Sequence, residues 1–268
     1  MGINAKNGCV QIGNTSMYYV SFGTGEKKVV VLPGLSDGLA TVKGKASLIA
    51  PPYKKFLKDY AVYMFSRKND MPIGYTIRQM AEDQVEAMKI LGINKASVFG
   101  VSQGGMVSQC IAIDHPEVVD KLVLAVTAPY ANDVVKGAVE SWIEMANKRD
   151  HKTLMIDTAE RTYTKAYVEK NRTMLSLVAK FTRHKSYERF LRNAEAILKF
   201  DARDELCKIK APTLLIAGDE DITVGTDAVN ELREGIANSE TYIYEGLGHG
   251  LFDEAKDFYD RAFEFIGR

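Results

Sequence analysis

Two serines lie in the pattern Gly-x-Ser-x-Gly, in which small residues let a strand turn sharply into a helix and present a serine hydroxyl above a sheet. Residues 100–104 contain Ser102, and residues 34–38 contain Ser36. The run ASVFG before Ser102 is rich in β-forming residues, and GGMVSQCIAI after it is typical of a helix. The run LATVKGK after Ser36 contains Gly44 and two β-branched residues, which disfavour the start of a helix. The context predicts Ser102 as a nucleophile; an ordinary turn serine is the alternative.

A serine hydroxyl is a weak nucleophile at neutral pH, so it needs a base within hydrogen-bond reach and a third group that orients the base. Four histidines could supply the base. His115 ends the helix after the serine, and His151 and His184 lie among charged neighbours in the middle of the chain. His249 instead stands in the loop Gly-Leu-Gly-His-Gly after a strand-like run. Because sites in α/β sheets form at the carboxyl ends of strands, we predict His249 as the general base.

The acid that orients the histidine has several candidates. Asp219, Glu220 and Asp221 follow the apolar run TLLIAG. An acid at this place gives the chain order Ser, Asp, His, which is the order expected for a Gly-x-Ser-x-Gly hydrolase. Asp133, in the loop after the preceding strand, is a further candidate, and solvated turn carboxylates are the alternative for all four. We prefer Asp221.

The elements that must position these residues follow from an alternation of short apolar runs with longer helical patterns. Three β-like stretches, separated by glycine-containing turns, occupy the first 32 residues and predict an antiparallel opening. Further apolar runs begin at Ala61, Ala96 and Leu122, with helices predicted at about residues 76–91 and 105–113. Such alternation is typical of parallel strands joined by crossover helices. It predicts an α/β fold with a mostly parallel central sheet flanked by helices.

The alternation breaks in the middle of the chain. Residues 131–200 contain no convincing strand, and their apolar spacing predicts several amphipathic helices instead. We interpret this stretch as an inserted helical lid between a first core part, residues 1–130, and a second core part, residues 201–268. Large apolar side chains of the lid are candidates for lining an acyl pocket: Trp142, Met145, Tyr163, Tyr167, Met174, Leu175 and Phe181.

Strand and helix patterns return after the predicted lid. A strand is predicted from Thr213, followed by a helix at about residues 226–236. Another strand is predicted from Glu240, and a single last helix at about residues 252–265. The loops after these two strands are the ones that contain Asp221 and His249.

Four motifs in order resemble the α/β-hydrolase superfamily, and together they span nearly the whole chain. They are Leu-Pro-Gly-Leu after the third strand, Gly-Val-Ser-Gln-Gly-Gly, Gly-Asp-Glu-Asp-Ile-Thr-Val and Gly-Leu-Gly-His-Gly. The resemblance implies an α/β-hydrolase fold with an inserted helical lid. It also implies Asp221 as the acid, since the family's acid is usually the last carboxylate of a Gly-x-x-Asp stretch after this strand.

The same resemblance implies an oxyanion hole made of two backbone NH groups. In the family these belong to the residue after the glycine of the first motif and to the residue after the serine, which here are Leu35 and Gln103. The family's first motif usually contains His-Gly, whereas this chain has Pro33-Gly34. Because backbone groups bind the oxyanion, a proline at this position leaves the predicted hole in place.

The motifs predict a serine hydrolase that cleaves a small carboxylic ester or thioester through an acyl-enzyme intermediate. The serine motif is similar to that of carboxylesterases of the acyl-protein thioesterase kind, and the lid is similar to that of enol-lactonases, proline iminopeptidases and cofactor-free perhydrolases. One fold hosts many reactions, so an amidase or peptidase, an acyltransferase and a carbon-carbon hydrolase remain alternatives on the same triad. A catalytically weak ligand-binding receptor is the alternative from another functional class.

Composition restricts the partners. Lys plus Arg and Asp plus Glu number 35 each, so no net charge attracts nucleic acid or an anionic membrane, and a small acyl substrate fits better. The three cysteines form no Cys-x-x-Cys or Cys/His cluster, and nothing in the sequence calls for a metal or an organic cofactor. The first residues lack a signal-peptide pattern and no long apolar run follows, so we expect a cytoplasmic protein. The sequence does not determine the oligomeric state.

Overall fold

A computed structural model describes residues 3–182 and 184–268 of the 268-residue chain, without the side chains of Val178 and Phe181. Eight strands in these ranges form one sheet. Their bounds are β1 Lys6–Ile12, β2 Thr15–Phe22, β3 Lys27–Leu32, β4 Tyr60–Phe65, β5 Ala96–Val101, β6 Val119–Ala125, β7 Thr213–Gly218 and β8 Ser239–Tyr244.

The sheet has the order β1-β2-β4-β3-β5-β6-β7-β8. The pairs β1·β2 and β2·β4 are antiparallel, and every pair from β4·β3 to β7·β8 is parallel. The predicted antiparallel opening and mostly parallel sheet are therefore confirmed. In this order β5 lies in the middle of the parallel strands, between β3 and β6, so the loops after β3, β5 and β6 meet at one edge of the sheet.

Ten α-helices flank the sheet in the described residues, with bounds α1 Ala46–Ile49, α2 Ile77–Ile90, α3 Gln103–Asp114, α4 Asp133–Asn147, α5 His151–Thr162, α6 Lys165–Phe181, α7 Glu188–Leu198, α8 Ala228–Gly235, α9 Leu251–Glu254 and α10 Phe258–Gly267. Short 3-10 helices cover Leu35–Gly38, Pro51–Phe56, Pro116–Val118 and Arg203–Lys208. Among the described helices, none combines the length and the hydrophobicity that a membrane span requires.

The prediction of a single last helix at about residues 252–265 is wrong, because the structure has two helices there, α9 and α10. Ala255 ends α9 in an extended conformation, with φ −82° and ψ 119°. The break brings Phe258 into the core, where its ring packs 5.7 Å from the ring of Phe99 and is fully buried. Tertiary packing of one aromatic side chain thus outweighs the helical spacing of the segment.

Both faces of the central strands are covered by apolar side chains, which explains the apolar runs in β3, β5, β6 and β7. Along β3, Val30 and Leu32 point into a cluster that includes α2, α3 and α8. Val29 and Val31, between them, point into a second cluster on the opposite face with α10. The loops at the carboxyl ends of the strands are consequently attached to a rigid, doubly packed sheet.

Helices α4 to α7 form the insertion between β6 and β7. The chain leaves and re-enters the core at one point, where Ala131 N donates to Phe200 O at 3.0 Å and Ala202 N donates to Pro129 O at 2.8 Å. These hydrogen bonds lie at the predicted boundaries of residues 131–200. The division into a core and a lid stays a prediction.

Candidate active site

Ser102 occupies the turn between β5 and α3 in a strained backbone conformation. Its φ is 55° and its ψ is −122°, a region that residues other than glycine rarely adopt. Both of its backbone groups are held: Ser102 N donates to Ala125 O at 2.9 Å, and the Thr127 hydroxyl donates to Ser102 O at 2.8 Å. Such strain persists only where surrounding contacts enforce it, and it is typical of functional residues.

Gly104 allows α3 to begin directly against β3. A Cβ atom at this position would lie 1.9 Å from the backbone oxygen of Leu32, which cannot move out of the way. The close approach of the helix to the sheet therefore requires glycine here.

We expect Gly104→Ala to displace the turn that contains Ser102, since the added methyl meets backbone on the sheet side. Overpacking of this kind costs about 1–3 kcal/mol of stability. A displacement of about 1 Å at reacting atoms can lower the rate about a hundredfold. Thermal unfolding and steady-state hydrolysis of a chromogenic ester measure the two effects.

The matched control is Gly137→Ala in α4, where a Cβ meets nothing within 4 Å. It should leave the rate unchanged and stabilise the helix by about 0.5–1 kcal/mol. Equal behaviour of the two variants would contradict the role assigned to Gly104.

His249 lies in the loop after β8 and is buried. Its Nε2 is 2.9 Å from Ser102 Oγ, and its Nδ1 is 2.8 Å from Asp221 Oδ2. The imidazole therefore bridges a hydroxyl and a carboxylate that are 119 positions apart in the chain, at residues 102 and 221. This arrangement can take a proton from the hydroxyl while the carboxylate holds the ring.

Asp221 lies in the loop after β7 and is 3% exposed. Its second oxygen, Oδ1, accepts hydrogen bonds from Thr223 N at 2.8 Å and Val224 N at 3.0 Å. Burial by itself raises the pKa of Asp221, but the charge and hydrogen bond of His249 and the two backbone NH groups outweigh it, so the pKa is lowered. The carboxylate is thus ionised at neutral pH and keeps the proton of His249 on Nδ1.

The NH groups of Leu35 and Gln103 stand at the two places where an oxyanion hole is expected. Leu35 begins the 3-10 helix Leu35–Gly38, and Gln103 begins α3. NH groups in the first turn of a helix have no acceptor within that helix. Within the described ranges, neither of these two NH groups donates to a backbone oxygen elsewhere. A Cβ at Gly34 would lie 3.3 Å from Ser102 Cβ, so the peptide before Leu35 passes directly beside the serine.

The other carboxylates and the second serine lie elsewhere. Ser36 is exposed on the first 3-10 helix, and Asp219 accepts the NH of Gly246 at 2.7 Å. Asp133 is fully exposed at the start of α4. In the described part of the chain, His249 forms no hydrogen bond to any of the four alternatives to Ser102 and Asp221, which are Ser36, Asp219, Glu220 and Asp133.

The remaining histidines are also outside the site. His115 Nε2 pairs with Glu82 at 2.8 Å, and His151 Nε2 lies 3.1 Å from the hydroxyl of Thr182. The structure therefore brings together Ser102, His249 and Asp221, as the sequence analysis expects, and leaves the competing residues apart. The catalytic roles of the three residues stay a prediction at this point.

The insertion lies over the loops of Asp221 and His249. The carbonyl of Arg161 accepts a hydrogen bond from the Thr223 hydroxyl at 3.1 Å. The next carbonyl, that of Thr162, accepts the NH of Gly250 at 2.5 Å. Tyr163 donates its hydroxyl to Asp253 at 2.7 Å. The connection between α5 and α6 thus covers both loops beside the histidine.

The large apolar side chains that the sequence singles out have different surroundings. Trp142 on α4 is buried, and its indole NH donates to Asp157 on α5 at 2.8 Å. Tyr163 and Tyr167 stack with ring centroids 4.4 Å apart, and Met174 is half exposed. The side chain of Phe181 lies outside the described residues. Among the members of this set whose side chains are described, Tyr163 has the contacts nearest to the histidine loop.

The sequence analysis does not identify two residues whose side chains hydrogen-bond to the backbone of the site. Thr127 supports the carbonyl of Ser102, and Arg67, from the loop after β4, donates to the carbonyl of Pro33 at 2.7 Å. Neither belongs to a motif, and their partners are 25 and 34 positions away in the chain. In the described residues, no group of three or more His, Cys, Asp or Glu side chains is placed to hold a metal ion.

Comparisons with known proteins agree on the family. The model of the alpha/beta hydrolase fold family matches residues 51–256, which is more than half of the chain. The 3-oxoadipate enol-lactonase 2 of Acinetobacter baylyi is 23% identical over 240 residues, covering 87% of this chain and 86% of that protein.

Two solved structures share the fold over almost the whole chain. The enol-lactonase from Burkholderia xenovorans LB400 has a TM-score of 0.84 and 23% identity, covering 97% of this chain and 100% of that one. MGS-M2, an alpha/beta hydrolase enzyme from a deep-sea metagenome library of the Medee basin, has a TM-score of 0.85 and 20% identity, covering 97% and 98%. With the sheet order and the serine turn described above, these findings lead to one conclusion: the chain belongs to the α/β-hydrolase family.

Proposed function

We propose that this α/β hydrolase is a serine hydrolase that cleaves small carboxylic esters through an acyl-enzyme intermediate. One observation carries the proposal, namely the hydrogen-bond chain from Ser102 Oγ through His249 to Asp221, with distances of 2.9 and 2.8 Å. Nucleophile, base and orienting acid within such distances are the requirements for acyl transfer by a serine.

In the first half of the reaction, Ser102 Oγ attacks the ester carbonyl and His249 Nε2 takes the hydroxyl proton. Asp221 stabilises the imidazolium that forms. The tetrahedral intermediate places its negative oxygen toward the NH groups of Leu35 and Gln103. Collapse of the intermediate breaks the ester bond, and His249 gives its proton to the departing alcohol. The acyl group is left on Ser102.

In the second half, water replaces the alcohol. His249 takes a proton from the water, and the resulting hydroxide attacks the acyl-serine carbonyl. The same two NH groups stabilise the second oxyanion. When that intermediate collapses, Ser102 Oγ recovers the proton from His249 and the carboxylic acid leaves.

Cyclic esters are a second candidate class. Relatives named enol-lactonase occur both in the sequence comparison and among the solved structures. A lactone is an ester whose alcohol and acyl groups belong to one molecule, so the same triad opens it by the same steps. A panel of chromogenic esters of graded acyl length, set beside five- and six-membered lactones and aminoacyl amides, separates these classes by kcat/KM.

A fluorophosphonate probe tests the serine mechanism without knowledge of the substrate. We expect rapid labelling of the native chain at Ser102. Folded protein that does not label would instead support a ligand-binding receptor with the same fold. Labelling together with preferential turnover of amides would support an amidase or peptidase.

The insertion is proposed to contribute to substrate preference through Tyr163, whose ring packs against Gly250 beside the histidine. We expect Tyr163→Ala to change the preference between short and long acyl chains by roughly 1–3 kcal/mol for each methylene-sized change. The ratio of kcat/KM values across an acyl series measures it.

Trp142→Ala is the matched control, because its indole packs inside the insertion. It should lower stability by about 3–5 kcal/mol and leave the acyl preference unchanged. A Tyr163→Ala variant that alters only thermal stability would exclude this part of the insertion as a specificity element.

A further inference from the structure

Arg67, in the loop after β4, is a charged side chain with almost no access to solvent. It is 1% exposed, and it belongs to none of the motifs that contain Ser102, Asp221 or His249. Taking a guanidinium out of water costs several kcal/mol, and an apolar side chain of similar volume often stabilises a protein at least as well. Its burial therefore points to a role other than stability.

The guanidinium of Arg67 contacts both chain segments that supply oxyanion NH groups. Its Nη2 donates to Pro33 O at 2.7 Å, two residues before Leu35. The same atom lies 3.4 Å from the side-chain oxygen of Gln103, a weaker contact. One planar group thus joins the loop after β3 to the first residue of α3.

Asp37 links the backbone of Arg67 to the insertion, because it accepts the Arg67 backbone NH and forms an ion pair with Arg189. Asp37 is 3% exposed, and its Oδ2 accepts Arg67 N at 2.9 Å and Arg189 Nη2 at 2.6 Å. Arg189 Nη2 also donates to Arg67 O at 2.8 Å. Burial lowers the pKa of Arg67 to about 10, with Asp37 opposing and Arg189 adding to the decrease, so the guanidinium is charged at neutral pH.

A second connection from the insertion reaches Gln103 directly. Its side-chain nitrogen donates to Asn193 O at 2.8 Å, and Asn193 in turn donates to Arg189 O at 2.8 Å. Asn193 and Arg189 both lie on α7. This helix therefore contacts the loop of Leu35 through Asp37 and the start of α3 through Gln103.

We propose that Arg67 is a positioning residue that aligns the two NH groups of the oxyanion hole, and that Arg189 on α7 holds Arg67 and Asp37 in place. The proposal rests on the serine hydrolase function proposed above. It makes α7 a fixed support of the oxyanion hole. Donors that bind a transition-state oxygen contribute most when they are aligned before the reaction, so small displacements at Leu35 or Gln103 reduce the rate.

The test compares four variants with the native chain. Arg67→Met removes the charge and the hydrogen bonds, and Arg67→Lys keeps the charge without the planar group. Arg189→Met removes the support from α7. Arg192→Met is the matched control on the same helix, because the ion pair of Arg192 in the described part of the chain is with the partly exposed Glu195. Circular dichroism and thermal unfolding first establish which variants fold.

Three measurements then separate positioning from a merely structural role. Hydrolysis of p-nitrophenyl acetate gives kcat and KM. Inhibition by a short alkyl trifluoromethyl ketone, which forms a tetrahedral oxyanion on the serine, reports on the hole itself. Hydrogen exchange measured on peptides covering residues 33–38 and 102–106 reports on the two NH segments and needs no catalytic activity.

For Arg67→Met we expect kcat to fall about tenfold to a hundredfold, below the roughly 10²–10³-fold loss caused by removing a whole donor. KM should stay within about twofold, since an oxyanion contact acts mainly in the transition state. The inhibition constant of the ketone should rise by the same factor as kcat falls. Arg67→Lys and Arg189→Met should show the same changes in kcat and ketone inhibition to a smaller extent. Hydrogen exchange in both peptide segments should be faster in these variants. Arg192→Met should match the native chain.

Several results would overturn the proposal. A folded Arg67→Met variant with native kcat and native ketone inhibition would do so, and so would a loss of kcat without any change in ketone inhibition. If Arg67→Met does not fold, the same criteria apply to Arg67→Lys and Arg189→Met. A native chain that neither hydrolyses esters nor reacts with a fluorophosphonate would refute the hydrolase function, and unchanged exchange at the two segments would separately refute the positioning by Arg67.

Discussion

Ser102→Ala is expected to lower kcat/KM for ester hydrolysis by about a thousandfold or more, since only the oxyanion hole and substrate binding would still promote the reaction. The backbone conformation at Ser102, with φ 55°, is also unusual for alanine, but Thr127 and Ala125 hold both backbone groups of the residue. The variant should therefore fold. Covalent labelling by a fluorophosphonate should disappear with the hydroxyl, and intact-protein mass spectrometry measures it directly.

Ser36→Ala is the matched control for this prediction, because Ser36 lies in the same pentapeptide pattern but has an exposed side chain on the 3-10 helix Leu35–Gly38. It should keep most of the activity and all of the labelling. If labelling persisted in Ser102→Ala and vanished in Ser36→Ala, the nucleophile would have to be moved to the loop after β3.

Asp221→Asn is expected to lower kcat by about 10⁴-fold. An amide at this place can donate a hydrogen bond to Nδ1 of His249, which moves the ring proton to Nε2 and prevents that atom from accepting the proton of Ser102. It also removes the negative charge that stabilises the imidazolium. Two backbone NH groups, of Thr223 and Val224, still hold the side-chain oxygen, so the geometry of the loop should be retained.

Asp219→Asn gives the comparison within the same loop. Asp219 accepts the NH of Gly246, and an asparagine oxygen can accept it as well, so the expected loss of kcat is small. Steady-state kinetics at saturating ester, with folding checked by circular dichroism, decides between the two carboxylates. Small effects from both, accompanied by a large one from Asp133→Asn, would place the acid in the loop after β6 instead.

Much of the fold followed from local patterns that act over a few residues. The alternation of strands and helices predicted the parallel sheet, and the strand before and helix after Ser102 separated it from Ser36. Helical spacing was a poorer guide near the end of the chain, where burial of Phe258 divides the predicted last helix. The spacing of apolar residues in a short segment does not show where packing against distant residues interrupts a helix.

The choice among Asp219, Glu220 and Asp221 shows where local information ends. All three carboxylates lie in one loop, and the residues alone left them open. Only the positions of β7 and β8 side by side bring Asp221 to within 2.8 Å of His249, 28 residues later in the chain. A hydrogen bond over that separation depends on strand pairing, which neighbouring residues do not specify.

The sequence by itself determined the fold class. It also predicted the turn that contains Ser102, the histidine loop and the segment of the insertion, because each prediction depends on residues that are neighbours in the chain. Only the tertiary structure decided which faces of the insertion helices meet the core, and that Arg189 reaches Asp37 across 152 positions. Helical periodicity predicts that a helix has an apolar face, but it does not predict which element that face packs against. The burial of Arg67 and the pairing of its neighbours require several distant elements to be packed at the same time. No short stretch of sequence contains that information, so these contacts could not be predicted.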